Sequence, residues 1–240
     1  MRTNQLWLKP MMKLGLLLMM GASMSANAGI FDLGGTSWKE EVLLHDGQKI
    51  IVERSQNRGG RREIGQPPPV KEHTISFTLP NSNERITWTS EYGEDVGRAN
   101  FDLLAIHVMK AAPYIVATPN LCLSYNKWGR PNPPYVVFKY DGKAWQRIPI
   151  SELPAEFKTI NVAISTLGDE DKLTGLGFVS AEKIKELNSD VMQPEYKTIL
   201  REAVKGAGSL CPELVYYKGA WVGPGDSIGK RMMDMNSKSK

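Results

Sequence analysis

Val42-Leu43-Leu44-His45-Asp46-Gly47-Gln48-Lys49-Ile50-Ile51-Val52 sets two apolar, strand-forming runs on either side of an Asp-Gly pair. Asp-Gly between such runs is the strongest short-range hairpin signal, because the tightest turn needs positive φ at its centre and these two residues tolerate it. With Asp46 and Gly47 as a two-residue loop, Leu43 faces Ile50, Val42 faces Ile51 and Glu40 faces Glu53, an unfavourable like-charge pair. The arrangement recurs downstream, where Asp141-Gly142 separates Tyr135 to Tyr140 from Lys143 to Ile148 and sets Phe138 opposite Trp145. Two such hairpins commit the chain to an antiparallel sheet.

Further strands are expected at His73 to Leu79, Arg85 to Thr89, Phe101 to Val108, Tyr114 to Ala117 and Leu121 to Tyr125, each bounded by Pro, Gly or Asn. Leu214 to Trp221 weakly echoes the Phe138 to Trp145 pattern. Trp128 to Pro134 reads as a stiff extended lead-in, since Pro131, Pro133 and Pro134 donate nothing to a ladder. Two short helices follow late. Ser180 is an N-cap for Ala181 to Asn188, and Pro194 opens a second helix through Ala203 that Gly206 stops. The fold class expected is mainly β (α+β), an antiparallel sheet domain arranged as a sandwich or partial propeller, with these two helices near the C-terminus. Residues 1–28 read as a signal peptide, 29–223 as one β-rich domain and 224–240 as a disordered tail.

The leader reading rests on Arg2, Lys9 and Lys13, the apolar run Leu14 to Met20 and a small-x-small site ending at Ala28 before Gly29. The apolar run is far short of the roughly 18 residues a spanning helix needs. Met12 is an alternative start that gives the same conclusion. Cleavage after Ala28 leaves 212 residues, with 27 basic against 26 acidic. A nearly neutral exported chain lacks the basic surface that nucleic acid requires. Its two cysteines, Cys122 and Cys211, read as one disulfide in an oxidising compartment, with two buried free thiols as the rival.

No catalytic set assembles from spacing. Gly225-Asp226-Ser227-Ile228-Gly229 lacks the strand that a nucleophile elbow needs. Glu40 with Glu41, Glu91 with Glu94 and Asp95, and Asp169-Glu170-Asp171 read as solvated turns and faces. His45, His73 and His107 are scattered, each in or beside an expected strand, and none has ligand spacing to a cysteine, so neither a metal nor a cofactor is expected. Met232-Met233-Asp234-Met235 reads as inert tail. Two groups remain as binding candidates. Arg58, Arg61 and Arg62 lie on the glycine-flexible loop Gln56 to Pro69 and offer guanidinium forks to phosphate or carboxylate. Trp128 and Arg130 stand beside rigid prolines, a make-up suited to sugar or peptide contact at little entropic cost.

The blocks WKEEVLLHDGQKIIVERS and NKWGRPNPPYVVFKYDGKAWQRIP resemble those of uncharacterised exported proteins of Gram-negative bacteria. That resemblance implies a periplasmic location and carries no activity, ligand or catalytic residue. YDGKAW is also similar to turn motifs of β-propeller blades, including the Asp-box, except that Asp141 and Gly142 are adjacent where that motif separates them. The expectation is a non-catalytic periplasmic module that binds or supports an envelope component, its partner an anionic ligand or a protein. The alternative is an exported hydrolase whose residues converge from separate loops.

Overall fold

The computed structural model describes residues 35–62, 64–90, 92–164 and 170–238. The expected leader with its cleavage site at Ala28 and Gly29, and the acids Glu63, Glu91 and Asp169, lie outside them. Strands β1 (Gly35–Leu43), β2 (Lys49–Arg58), β3 (Val70–Thr78) and β4 (Arg85–Ser90) form an antiparallel meander. The short pair β5 (Tyr92–Gly93) and β6 (Arg98–Ala99) leads into β7 (Phe101–Met109) and β8 (Ala112–Pro119). Helix α1 (Leu121–Lys127) then precedes β9 (Val136–Tyr140) and β10 (Trp145–Ile148), and the second sheet runs β10-β9-β8-β7. After α2 (Glu170–Leu176), the two-residue β11 (Phe178–Val179) joins the outer edge of β1 in parallel. Helix α3 (Ala181–Leu187), the hairpin of β12 (Val215–Tyr217) and β13 (Ala220–Val222), and helix α4 (Ser227–Lys238) end the described chain.

Both hairpins form, each in a register other than the two-residue loop dictates. In the first, the Leu44 N–H donates to Gln48 O at 2.8 Å and Gly47 takes φ +84°. The loop is therefore His45-Asp46-Gly47, a turn closed by a left-handed glycine. Val42 pairs with Ile50 and Leu43 with Lys49, one residue away from expectation. Glu40 escapes Glu53, which pairs instead with Lys39 at 3.6 Å. In the second, the Asp141 carboxylate accepts the N–H groups of Lys143 and Ala144, each at 2.9 Å, and these bonds hold its carboxyl below the usual range. A four-residue loop results. Trp145 pairs with Tyr140 and Arg147 with Phe138, so the expected Phe138–Trp145 pair does not form.

Alternate residues of the first sheet bury one face against the second. Val42, Val52, Ile75, Phe77, Ile86 and Trp88 meet Phe101, Leu103, Ile106, Ile115 and Val136 in one core. Of the two architectures expected, the sandwich is the one realised. The second sheet is covered on its other face too, where Leu104, Tyr114, Val116 and Val137 pack on Leu153, Phe157 and Ile199. That explains why β7 and β8 read as nearly continuous apolar runs rather than alternating ones. A third cluster, of Trp38, Ala163, Leu173, Val179 and Ile184, seats α2 and α3 on β1.

Four further expectations fail. Trp128 to Pro134 is not an extended lead-in throughout: Gly129 and Arg130 take φ +83° and +51°, and Arg130 N donates to Tyr125 O at 2.8 Å, turning the chain at the end of α1. Leu121 to Tyr125 is helical: Leu121 turns the chain at φ +61°, and Ser124 donates its hydroxyl to Asn100 O in a contact that a continuing strand would not make. The helix expected over Pro194 to Ala203 shrinks to a single 3-10 turn, Pro194–Tyr196. There the Ile199 N–H goes to Lys158 O at 2.9 Å, and the Arg201 guanidinium gathers the carbonyls of Ile150, Leu153, Pro154 and Phe157. Tertiary contacts override the local propensity. Beyond residue 224, where a disordered tail is expected, α4 forms. The Asp226 carboxylate accepts the Gly229 N–H at 2.8 Å, and Asp234 takes the Tyr217 hydroxyl at 2.7 Å. The α3 expectation holds, with the Ser180 hydroxyl accepting from Lys183 N at 3.2 Å.

Candidate binding cleft

The two residues paired by the sequence reading, Trp128 and Arg130, have separate roles. Trp128 is half-buried, its ring 4.6 Å from that of Phe101 in a cluster with Trp88 and Phe138. Arg130 turns inward over Tyr125 at 5.1 Å, and its guanidinium donates to Gly208 O at 3.2 Å, Cys211 O at 3.0 Å and Pro212 O at 3.2 Å. These carbonyls belong to the strap that the Cys122–Cys211 disulfide fastens to α1, across a Cα–Cα distance of 5.1 Å. Arg130 is therefore a clamp on the disulfide strap.

The cation that does stand over Trp128 is Arg147, which spacing from Trp128 does not reveal. Its guanidinium carbon lies 5.5 Å from the indole centroid, and Nη2 donates to Trp128 O at 3.3 Å. The four-residue loop of the β9–β10 hairpin puts it there. Arg147 is exposed, and beside it a cleft of about 360 Å³ opens at the end of the hairpin where β9 begins and β10 ends. Pro131, Pro133 and Tyr135 line it together with Ile148, Pro149 and Ile150.

These residues are held in place. Asn132 exchanges two hydrogen bonds with Val204, Oδ1 accepting from N at 2.7 Å and Nδ2 donating to O at 3.2 Å. The Tyr135 hydroxyl donates to the carbonyls of Glu195 and Thr198, at 2.7 and 3.1 Å, and burial raises it to about 12, so it stays protonated. The Arg201 grip on Ile150 O fixes Ile150. β10 is also the outermost strand of its sheet, with β9 as its neighbour. Stiff walls, an exposed cation and a strand edge suit an extended chain that carries an acid.

The other candidates sit elsewhere. Arg58 ends β2, and its Nη1 reaches Pro68 O at 3.4 Å. Arg61 packs on the β5–β6 turn, its N–H donating to Gly97 O at 3.1 Å, while Arg62 lines an open concavity of about 480 Å³ at the loop tip with Ile64 and Pro67. Among the acids, Glu40 is fully buried against Arg54 at 2.7 Å, Glu41 takes Lys49 at 2.7 Å and Asp95 takes Lys127 at 2.8 Å. His73 pairs across strands with Ser90, and its Nε2 lies 3.5 Å from Asp102 Oδ1, where it makes no hydrogen bond. This resembles a nucleophilic triad in composition only. Ser90 is 1 % exposed, and its hydroxyl both donates to Phe101 O and accepts from Phe101 N.

His107 is completely buried and stacked on Phe157 at 4.6 Å, with Nε2 at 3.1 Å from Thr159 O and Nδ1 without a partner. Burial lowers it from 6.5 to about 4, helped by His45 and Arg201 nearby and opposed by the Thr159 carbonyl and Asp46. Because the unfolded chain takes up the proton first, this histidine's stabilisation is complete above about pH 6.5 and lost as pH falls toward 4. The loss integrates to about 3 kcal/mol. His107→Leu should flatten the pH dependence of urea unfolding across that window; an unchanged slope would refute the assignment.

No helix among the described residues is long and apolar enough to cross a membrane. The chain matches no protein-family model, no curated protein and no solved structure.

Proposed function

We propose that this chain is an exported, non-catalytic binding module of the periplasm, and that its cleft receives an extended, acid-bearing segment of another envelope protein. The observation that carries the reading is Arg147, an exposed guanidinium poised on Trp128 at the rim of a cleft whose walls are fixed by Asn132, Tyr135 and Arg201. A preorganised cleft spends little free energy on ordering itself, so a few contacts suffice for useful affinity. Export is supported by the Cys122–Cys211 disulfide, a bond that persists in oxidising compartments.

Selection of a random-peptide library on the immobilised protein tests this. Enriched peptides should share an acidic residue within an extended, proline-tolerant stretch. They should bind the Arg147→Gln protein about tenfold more weakly, the smaller end of what a charge-assisted hydrogen bond contributes. No enrichment, or peptides that bind both proteins equally, would overturn the proposal.

A further inference from the structure

A two-sheet sandwich exposes an outer strand on each side of each sheet, and the main-chain groups there pair with any extended chain unless something obstructs them. Among the described residues, three of the four outer edges are obstructed. The β1 edge is taken by β11, with the Lys39 N–H on Gly177 O at 2.9 Å. On β7 the Ser90 hydroxyl serves both Phe101 N and Phe101 O, and the Asn161 side chain accepts the Ile106 N–H at 2.9 Å and donates to its carbonyl at 2.7 Å. On β4 the Trp145 indole donates to Thr87 O at 2.7 Å. β10 has no such cap. The Asp141 N–H donates to Ala144 O, which makes these two a hydrogen-bonded pair, and the antiparallel alternation then turns Gln146 and Ile148 toward β9. The N–H and C=O of Trp145 and Arg147 point away from it, and among the described residues no hydrogen bond reaches these four groups.

Building on the reading of the cleft above, we infer that the partner segment pairs with β10 as a fifth strand of the second sheet, its main chain bonded to Trp145 and Arg147. Two donors and two acceptors carried on alternate residues repeat at about 7 Å, the repeat of an extended polypeptide. Antiparallel pairing, as in the rest of that sheet, sets one partner residue directly opposite Arg147 and on the same face as its guanidinium. That residue is the acid, and its own N–H and C=O bond to the Arg147 main chain. The residue two places C-terminal to it does the same with Trp145, while the one between turns both groups to solvent. Pro149 offers no N–H, so the ladder ends at Arg147 and the partner chain passes on into the cleft.

Amide exchange followed by NMR tests the edge without any peptide. In the free, disulfide-bonded protein the Trp145 and Arg147 N–H groups should exchange at least about tenfold faster than those of Gln146 and Ile148. Equal protection would overturn the inference whatever the cleft binds, and protection that grows with protein concentration would assign the edge to a second copy of this chain. The second arm takes the tightest peptide from the library selection and replaces its amides one at a time with esters, which remove the donor and keep the shape. Esters at the acidic residue and two places C-terminal to it should each weaken binding about tenfold, and the ester between them less than about twofold. Uniform loss, no loss or the opposite alternation would overturn the inference. Alternating loss in a peptide indifferent to Arg147→Gln would keep the added strand and remove the acid, and a selection that enriches nothing would remove both.

Discussion

Arg54→Met is expected to remove about 3–5 kcal/mol of folding free energy, because it leaves a carboxylate buried without its counter-charge. Glu40 is wholly buried and Arg54 is 3 % exposed. Arg54 Nη1 donates to Glu40 Oε1 and to Ala163 O, both at 2.7 Å, and its guanidinium lies over the Trp38 ring at 4.9 Å. Glu40 also accepts from Trp38 Nε1 at 2.7 Å and from Ala163 N at 3.2 Å. The pair therefore ties the first sheet to the segment at 161–164 that roofs α2 and α3. Glu40→Gln combined with Arg54→Met should recover more than half of the loss, since the amide keeps the acceptor and removes the charge. Urea midpoints for the three proteins decide it. A single-variant loss under about 1 kcal/mol would mean that water reaches the pair.

Cys122→Ser with Cys211→Ser is the second large effect. The bond closes a loop spanning 89 residues, for which chain entropy gives about 4.6 kcal/mol. In a domain of this size that corresponds to a fall in Tm of roughly 10 °C. The Arg130 bonds to Gly208, Cys211 and Pro212 persist in the variant, and with the Asn126 bonds to Pro212 O and Leu214 N they must then hold the strap without the covalent link. Reductant should lower the Tm of the wild-type protein by the same amount and leave the variant unmoved. A wild-type Tm indifferent to reductant would contradict the bridge.

The strands were legible because apolar residues alternate between turn formers, and the disulfide because only two cysteines exist. Registers were not. The choice between a two-, three- and four-residue loop at an Asp-Gly pair depends on strand twist and on where the aspartate carboxylate finds N–H donors, as at Asp141. That choice shapes the proposed site, because the four-residue loop brings Arg147, nineteen residues away, onto Trp128. Arg130 shows the converse: adjacency to Trp128 suggested a shared surface, while the positive φ at Leu121 and Arg130 carries the chain around α1 and points the guanidinium at carbonyls some eighty residues away. Likewise the Pro194 segment has helical pattern, and only the distant carbonyls gathered by Arg201 reveal why it stops after one 3-10 turn. Short-range preference decided most of the strands, and long-range contacts decided the Pro194 segment and the cleft.

The central claim is that the cleft beside Arg147 engages another envelope protein. Replacing Ile148 with a photoreactive phenylalanine analogue in living cells tests it most directly, with the same analogue at Ile51, on the outer face of the first sheet, as the control. The account predicts a discrete crosslinked species from position 148 that is absent from position 51, is lost with Arg147→Gln and is competed by a peptide enriched in the selection. Equal crosslinking from both positions, or a species that survives Arg147→Gln, would contradict it.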